Sequence, residues 1–87
     1  MRMSADLVSE LTALLYRFDL LGLVPVGVPA DEYRPEAETI AQRLDEAHTV
    51  EDLERIAHEE FTAWFSPELA GPRERYGALA REAWALI

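Results

Sequence analysis

His58-Glu59 opens the pattern that zinc proteases place on a helix, in which two histidines one turn apart hold the metal and the intervening glutamate acts as base. Position 62, where the second histidine belongs, is Thr, so that metal site is missing as written. Glu54 lies one turn before His58 and is placed to pair with it on an exposed helix face. His48 falls near the end of a predicted helix, where an imidazole meets the negative end of the helix dipole. Gly22 and Gly27 have the spacing of the outer glycines of a phosphate loop, but no Lys follows and apolar residues fill the gap. No Ser-His-Asp set or nucleotide fingerprint is present. The sequence therefore assigns no catalytic residue, no cofactor and no metal ligand.

What remains is the chemistry of contact. Asp31-Glu32-Tyr33 puts two carboxylates and a phenol beside an apolar connector, Leu20-Leu21-Gly22-Leu23-Val24-Pro25-Val26-Gly27-Val28-Pro29, with Asp19 on its other side. The prolines remove backbone donors and fix φ, and the glycines relax the chain, so a regular helix is not expected there. Connectors are ordinarily polar because they run through water. This one is either buried or offers an apolar surface to a partner. Asp19, Val24, Val26, Asp31, Glu32 and Tyr33 are the candidate interaction surface, combining anchors with charge. The structural alternative is that Asp31 or Glu32 caps the next helix and Tyr33 packs on the connector. A second charged feature is Glu51, Asp52, Glu54, Glu59 and Glu60, which is either a solvated face or a docking surface for a basic partner.

These residues need helices to position them. Leu7, Leu11, Leu14 and Phe18, widened by Val8 and Leu15, predict an amphipathic helix over 5–18, with Ser4 as N-cap and Asp6 in its first turn. Pro35 fits the first turn of a second helix, 35–47, whose stripe is Ala37, Ile40, Ala41, Leu44 and Ala47. Thr49-Val50-Glu51-Asp52 resembles a capping box and opens a third helix, 50–65. Its stripe, Leu53, Ile56, Ala57, Phe61 and Trp64, is expected at the centre of the core. Ser66-Pro67-Glu68 ends that helix and opens a short turn, and Gly71-Pro72 is a second stop-and-start signal. A fourth helix over 73–86 places Tyr76, Leu79, Ala80, Ala83, Trp84 and Ile87 on one side, with Gly77 in its interior. Trp64, Phe65 and Trp84 are expected in the core or at its edge. The fold class is all-α, a four-helix bundle-like single domain with a long apolar connector between helices one and two.

Composition narrows the partners. Seventeen Asp and Glu face eight basic residues, all Arg, for a formal charge of −9. There is no Lys or Asn, and thirteen residues are Ala, a usage that points to a GC-rich bacterial genome. Such acidity argues against direct nucleic-acid binding and favours a basic protein if there is a partner. No stretch approaches the length of a membrane span, and no signal peptide is expected. The absence of cysteine fits a cytoplasmic location. At 87 residues the stability margin is thin without help, and a homodimer would be one way to bury the connector.

The segments Phe18-Asp19-Leu20-Leu21-Gly22-Leu23, Asp31-Glu32-Tyr33, a helix with Glu36, Ile40 and Leu44, and Phe61-Thr62-Ala63-Trp64-Phe65 resemble the small YugE-like bacterial domain of unknown function. The resemblance spans about Leu11 to Phe65. Leu20 stands where that domain usually has Pro, and Arg34 where it often has Asp. It implies an all-helical fold and carries over no activity. The function expected is that of a non-enzymatic protein-interaction module. One alternative is an acidic, immunity-type inhibitor of a basic toxin or nuclease. Another is a small metal-binding or enzymatic protein.

Overall fold

The computed structural model describes residues 5–19 and 32–86. The connector with Val24, Val26 and Asp31, the Ser4 cap and the terminal Ile87 lie outside the described residues. Among those described, helices account for all regular structure: α1 (Ala5–Phe18), α2 (Arg34–Gln42), α3 (Val50–Trp64), α4 (Pro67–Ala70) and α5 (Gly77–Leu86). Two 3-10 turns, Leu44–Glu46 and Arg73–Tyr76, follow α2 and precede α5. No described helix is long and apolar enough to cross a membrane.

Helix α1 packs on α2 and on α5, and α3 packs on the same two helices from the other side. Between them lies one core. Leu7, Leu11, Leu14 and Leu15 of α1 are buried in it, with Phe18 half-buried at the rim. Helix α2 contributes Ala37, Ile40 and Ala41, with Leu44 and Ala47 just beyond it. Helix α3 contributes Leu53, Ile56, Ala57 and Phe61. The recurrence of apolar residues every three or four positions puts these side chains on the inner faces. Phe61 is the hub. Its ring lies 5.9 Å from Tyr33, 5.6 Å from Tyr76 and 5.9 Å from Phe65, in tilted and edge-on geometries that suit aromatic quadrupoles.

Two boundaries and one burial differ from those the sequence predicts. The second helix stops at Gln42 and does not reach 47. Arg43 leaves helical geometry (φ −105°, ψ 6°), and the backbone tightens into bonds from Glu46 N–H to Arg43 O and from Ala47 N–H to Leu44 O. A 3-10 ending of this kind gives late carbonyls a partner. The fourth predicted helix is not continuous. Gly77, in αR geometry (φ −64°, ψ −48°), is the first residue of α5, directly after the Arg73–Tyr76 turn. Trp64 is the third difference. It is 48% exposed, not a core residue. Its helical phase turns it towards α2, but α2 is short and small-chained and leaves half the indole uncovered.

The α3 cap is close to the expected one. Thr49 Oγ1 accepts from Asp52 N–H at 3.1 Å. The shorter Asp side chain reaches back one residue further than a capping box would, accepting from His48 N–H at 2.9 Å. That bond is the chief reason the Asp52 carboxyl sits below the ordinary carboxylate range.

Candidate functional site

The expected interaction residues fall into two roles. Asp19 ends α1 in the left-handed region (φ 49°), which Asp tolerates better than most side chains, and its N–H bonds Leu15 O at 2.9 Å. Its Oδ1 accepts the phenol hydroxyl of Tyr33 at 2.9 Å. Residues on the two sides of the connector are thereby fastened together by one side-chain hydrogen bond. Tyr33 is 0% exposed, with its ring against Phe61. The expectation that Tyr33 lies on the interaction surface is therefore corrected: aromatic area drives it into the core, and only its hydroxyl reaches out, to Asp19. Glu32 is exposed, as a surface residue should be.

Tyr33 holds the N-cap position with no side-chain cap bond, and its carbonyl accepts from Ala37 N–H at 2.9 Å. Pro35 sits in the first turn as expected. Glu36, next to it, is only 4% exposed. Burial pushes its carboxyl above the ordinary range, its own backbone N–H pulls the other way, and the charge of Glu32 adds to the rise. The start of α2 is thus acid-rich, with like charges in mutual repulsion.

Trp64 leans on this same helix. Its indole Nε1–H donates to Thr39 Oγ1 at 3.2 Å, and the Thr39 hydroxyl donates in turn to Glu36 O at 3.0 Å. A large, half-exposed aromatic is therefore held by a hydrogen bond against the Thr39 stretch of α2. Leu69 on α4 is the other large apolar side chain left open, at 60% exposure. Sequence periodicity hides both features. Trp64 lies on the inward stripe by phase, and Leu69 sits in a segment too short to show a period.

The acidic face of α3 is largely neutralised from within. Arg43 reaches Glu46, Glu59 and Glu60 at 3.1, 2.9 and 3.0 Å, Arg55 pairs with Glu59 at 3.4 Å, and Arg73 bonds Glu54 at 2.8 Å. The guanidinium of Arg43, then that of Arg55, holds Glu59 below its ordinary range. The expected His58–Glu54 pair does not form, because Arg73 takes Glu54. His58 faces the other way. Its Nε2–H donates to Gly71 O at 3.0 Å, and its ring meets Tyr76 edge-on at 5.4 Å. His58 is a clamp on the Gly71-Pro72 turn. His48 is exposed. Among the described residues no group of three His, Cys, Asp or Glu is placed to hold a metal ion.

Comparison with protein-family models, curated proteins and solved structures finds no match for the chain.

Proposed function

We propose that the chain is a non-enzymatic protein-interaction module of the bacterial cytoplasm, and that it engages a basic protein through Trp64, Glu32, Asp19 and the connector with Val24, Val26 and Asp31. The observation that carries this is Trp64: half-exposed, yet tethered through Thr39 to the acidic end of α2. Tryptophan is among the residues that dominate binding energy at interfaces, and a fixed rotamer lowers the entropy lost on docking. The charge of −9 supports a basic partner and a fast encounter. Long-range steering belongs to the whole molecule, since Glu54, Glu59 and Glu60 of α3 are paired with arginines. The cycle of contacts α1–α2–α3–α5 supports a four-helix bundle-like scaffold beneath this face. The YugE-like likeness adds a helical fold and no partner.

The test is affinity capture from the native cell with partners identified by mass spectrometry, using wild type, Trp64→Ala and a Val24→Ser/Val26→Ser double variant. All three are first checked for folding by circular dichroism. A basic protein captured by wild type and lost from both variants supports the proposal. Equal capture by all three rules out this face.

The same acidity supports one narrower role, inhibition of a basic toxin or nuclease. Deleting the gene beside an intact candidate toxin gene should then arrest growth. Unchanged growth excludes that role.

A further inference from the structure

A groove of about 560 Å³ runs between α1 and α5. Glu10, Ala13, Leu14 and Arg17 line it from α1, and Glu82 and Ala85 from α5. Ala13 and Ala85 are both exposed, so the groove is walled by side chains that let another helix come close. Arg17 bridges the groove to Glu82, and both side chains remain largely open to solvent, at 64% and 52% exposure.

The α1 wall has an internal symmetry. Positions 10, 13, 14 and 17 follow the spacing that puts side chains on one helical stripe. They read acid, small, apolar, base, and positions 10 and 17 lie equally far from the midpoint between 13 and 14. A second α1 laid antiparallel over the first therefore sets Glu10 against Arg17 of the second copy and Arg17 against its Glu10. The exposed Ala13 then lies near the crossing, while Leu14 stays in the core beneath it. A two-fold axis generates this arrangement, which is the self-complementarity that an isologous interface requires. The groove also suits an acidic chain. Glu10, Glu82 and Arg17 sum to a formal −1, whereas the molecule carries −9, so two copies repel each other weakly here.

We propose that this groove is the contact between two copies of the chain, with α1 antiparallel on α1 across a two-fold axis. Helix α1 has 14 residues and is about 21 Å long, so the face is smaller than the roughly 800 Å² per partner of a standard interface. The dimer is a weak, reversible one. It leaves Trp64 of α3 for another partner, and it does not depend on the function proposed above.

Sedimentation velocity over a concentration series tests it on wild type, Glu10→Arg, Arg17→Glu and an equimolar mixture of the two variants. Each variant alone sets like charges opposite one another and should weaken dimerisation by about tenfold or more, the equivalent of about 1.4 kcal/mol. The mixture should recover the dimer, because Arg at position 10 of one variant then meets Glu at position 17 of the other. A wild type that stays monomeric up to about 1 mM overturns the proposal. So do variants that dimerise as well as wild type, or a mixture no better than its components. Arg17→Glu also loses the Glu82 pair, so a second measurement stands apart from charge. The chain has no cysteine, and Ala13→Cys places one thiol near the axis. It should oxidise to a disulfide-linked dimer faster than a control with Ala63→Cys on exposed α3 surface. Equal rates overturn the proposal.

Discussion

Tyr76 is the residue whose chemistry is most constrained. Its hydroxyl donates to Ala70 O at 2.7 Å from a fully buried ring. Burial pushes the phenol up to about 12, with the charge of Arg75 acting in the opposite direction. The folded state thus keeps the proton at a pH where the unfolded chain, with its ordinary value of 10.0, has released it. This contribution to stability is complete below pH 10 and is lost as pH rises from 10 towards 12. Tyr76→Phe is expected to cost roughly 1 to 3 kcal/mol at neutral pH, because Ala70 O loses its donor. It should also flatten the alkaline limb of a plot of melting temperature against pH.

Glu36 follows the same sign at the acid end of the pH scale. Its folded-state carboxyl is raised, so the folded protein binds this proton more tightly than the unfolded chain does. Its contribution is most favourable below the ordinary carboxylate range and is lost as pH climbs through that range to the raised value. Glu36→Gln removes the buried charge and its repulsion with Glu32. It is expected to melt above wild type at neutral pH, with the gap closing on acidification. Melts across the pH series decide both substitutions.

Among the elements, two joints set the geometry. The first is the Asp19–Tyr33 bond that fastens the end of α1 to the start of α2. Tyr33→Phe keeps the ring against Phe61 and removes only this bond. It should cost roughly 1 to 2 kcal/mol, as expected for a bond to a partly exposed charged acceptor. A double-mutant cycle with Asp19→Ala should assign most of that cost to the pair. The second joint is Gly71, with φ 76° and ψ −173°, a region open essentially to glycine alone. A Cβ there would also meet the Arg75 guanidinium at 2.4 Å. Gly71→Ala is expected to lower stability by about 1 to 3 kcal/mol, read from the denaturant midpoint.

How much of this was legible in the sequence follows from what periodicity encodes. The bounds of α1 and most of α3 could be read, because long stripes fix both helix and phase. So could the caps at Thr49 and Ser66 and the inward faces of Leu53, Ile56 and Phe61. Phase gives a direction, but not whether a neighbour extends far enough to cover the side chain, which is why Trp64 points towards α2 and still remains half open. The last helix begins as a 3-10 turn, Arg73–Tyr76, before α5, and the apolar period does not distinguish the two. Tyr33 had two open uses, surface anchor or packed ring. Its burial came from a long-range meeting with Phe61. His58 was tied to Glu54 by helical spacing alone, and Arg73, distant in sequence, took that carboxylate.

For the whole molecule, the ion pairs redistribute the meaning of its acidity. Arginines pair with Glu54, Glu59 and Glu60 of α3, while at the start of α2 Glu32 is exposed and Glu36 is buried. Trp64→Ala removes a side chain that is half outside the fold together with its bond to Thr39, so it should cost only about 1 kcal/mol and leave the protein folded. Tyr33→Phe, in contrast, loosens the fold beneath the same face. Stability is carried by the core and the Asp19–Tyr33 bond, so the binding role proposed for the indole can be tested apart from it.

The most direct measurement is the affinity of Trp64→Ala for the basic protein that wild type captures, taken beside the melting curves of both proteins. The expected result is a folded protein that melts only slightly below wild type and binding weakened by at least tenfold, equivalent to about 1.4 kcal/mol or more of lost anchor energy. Unchanged affinity in a folded Trp64→Ala protein would contradict the assignment of this face as the binding surface.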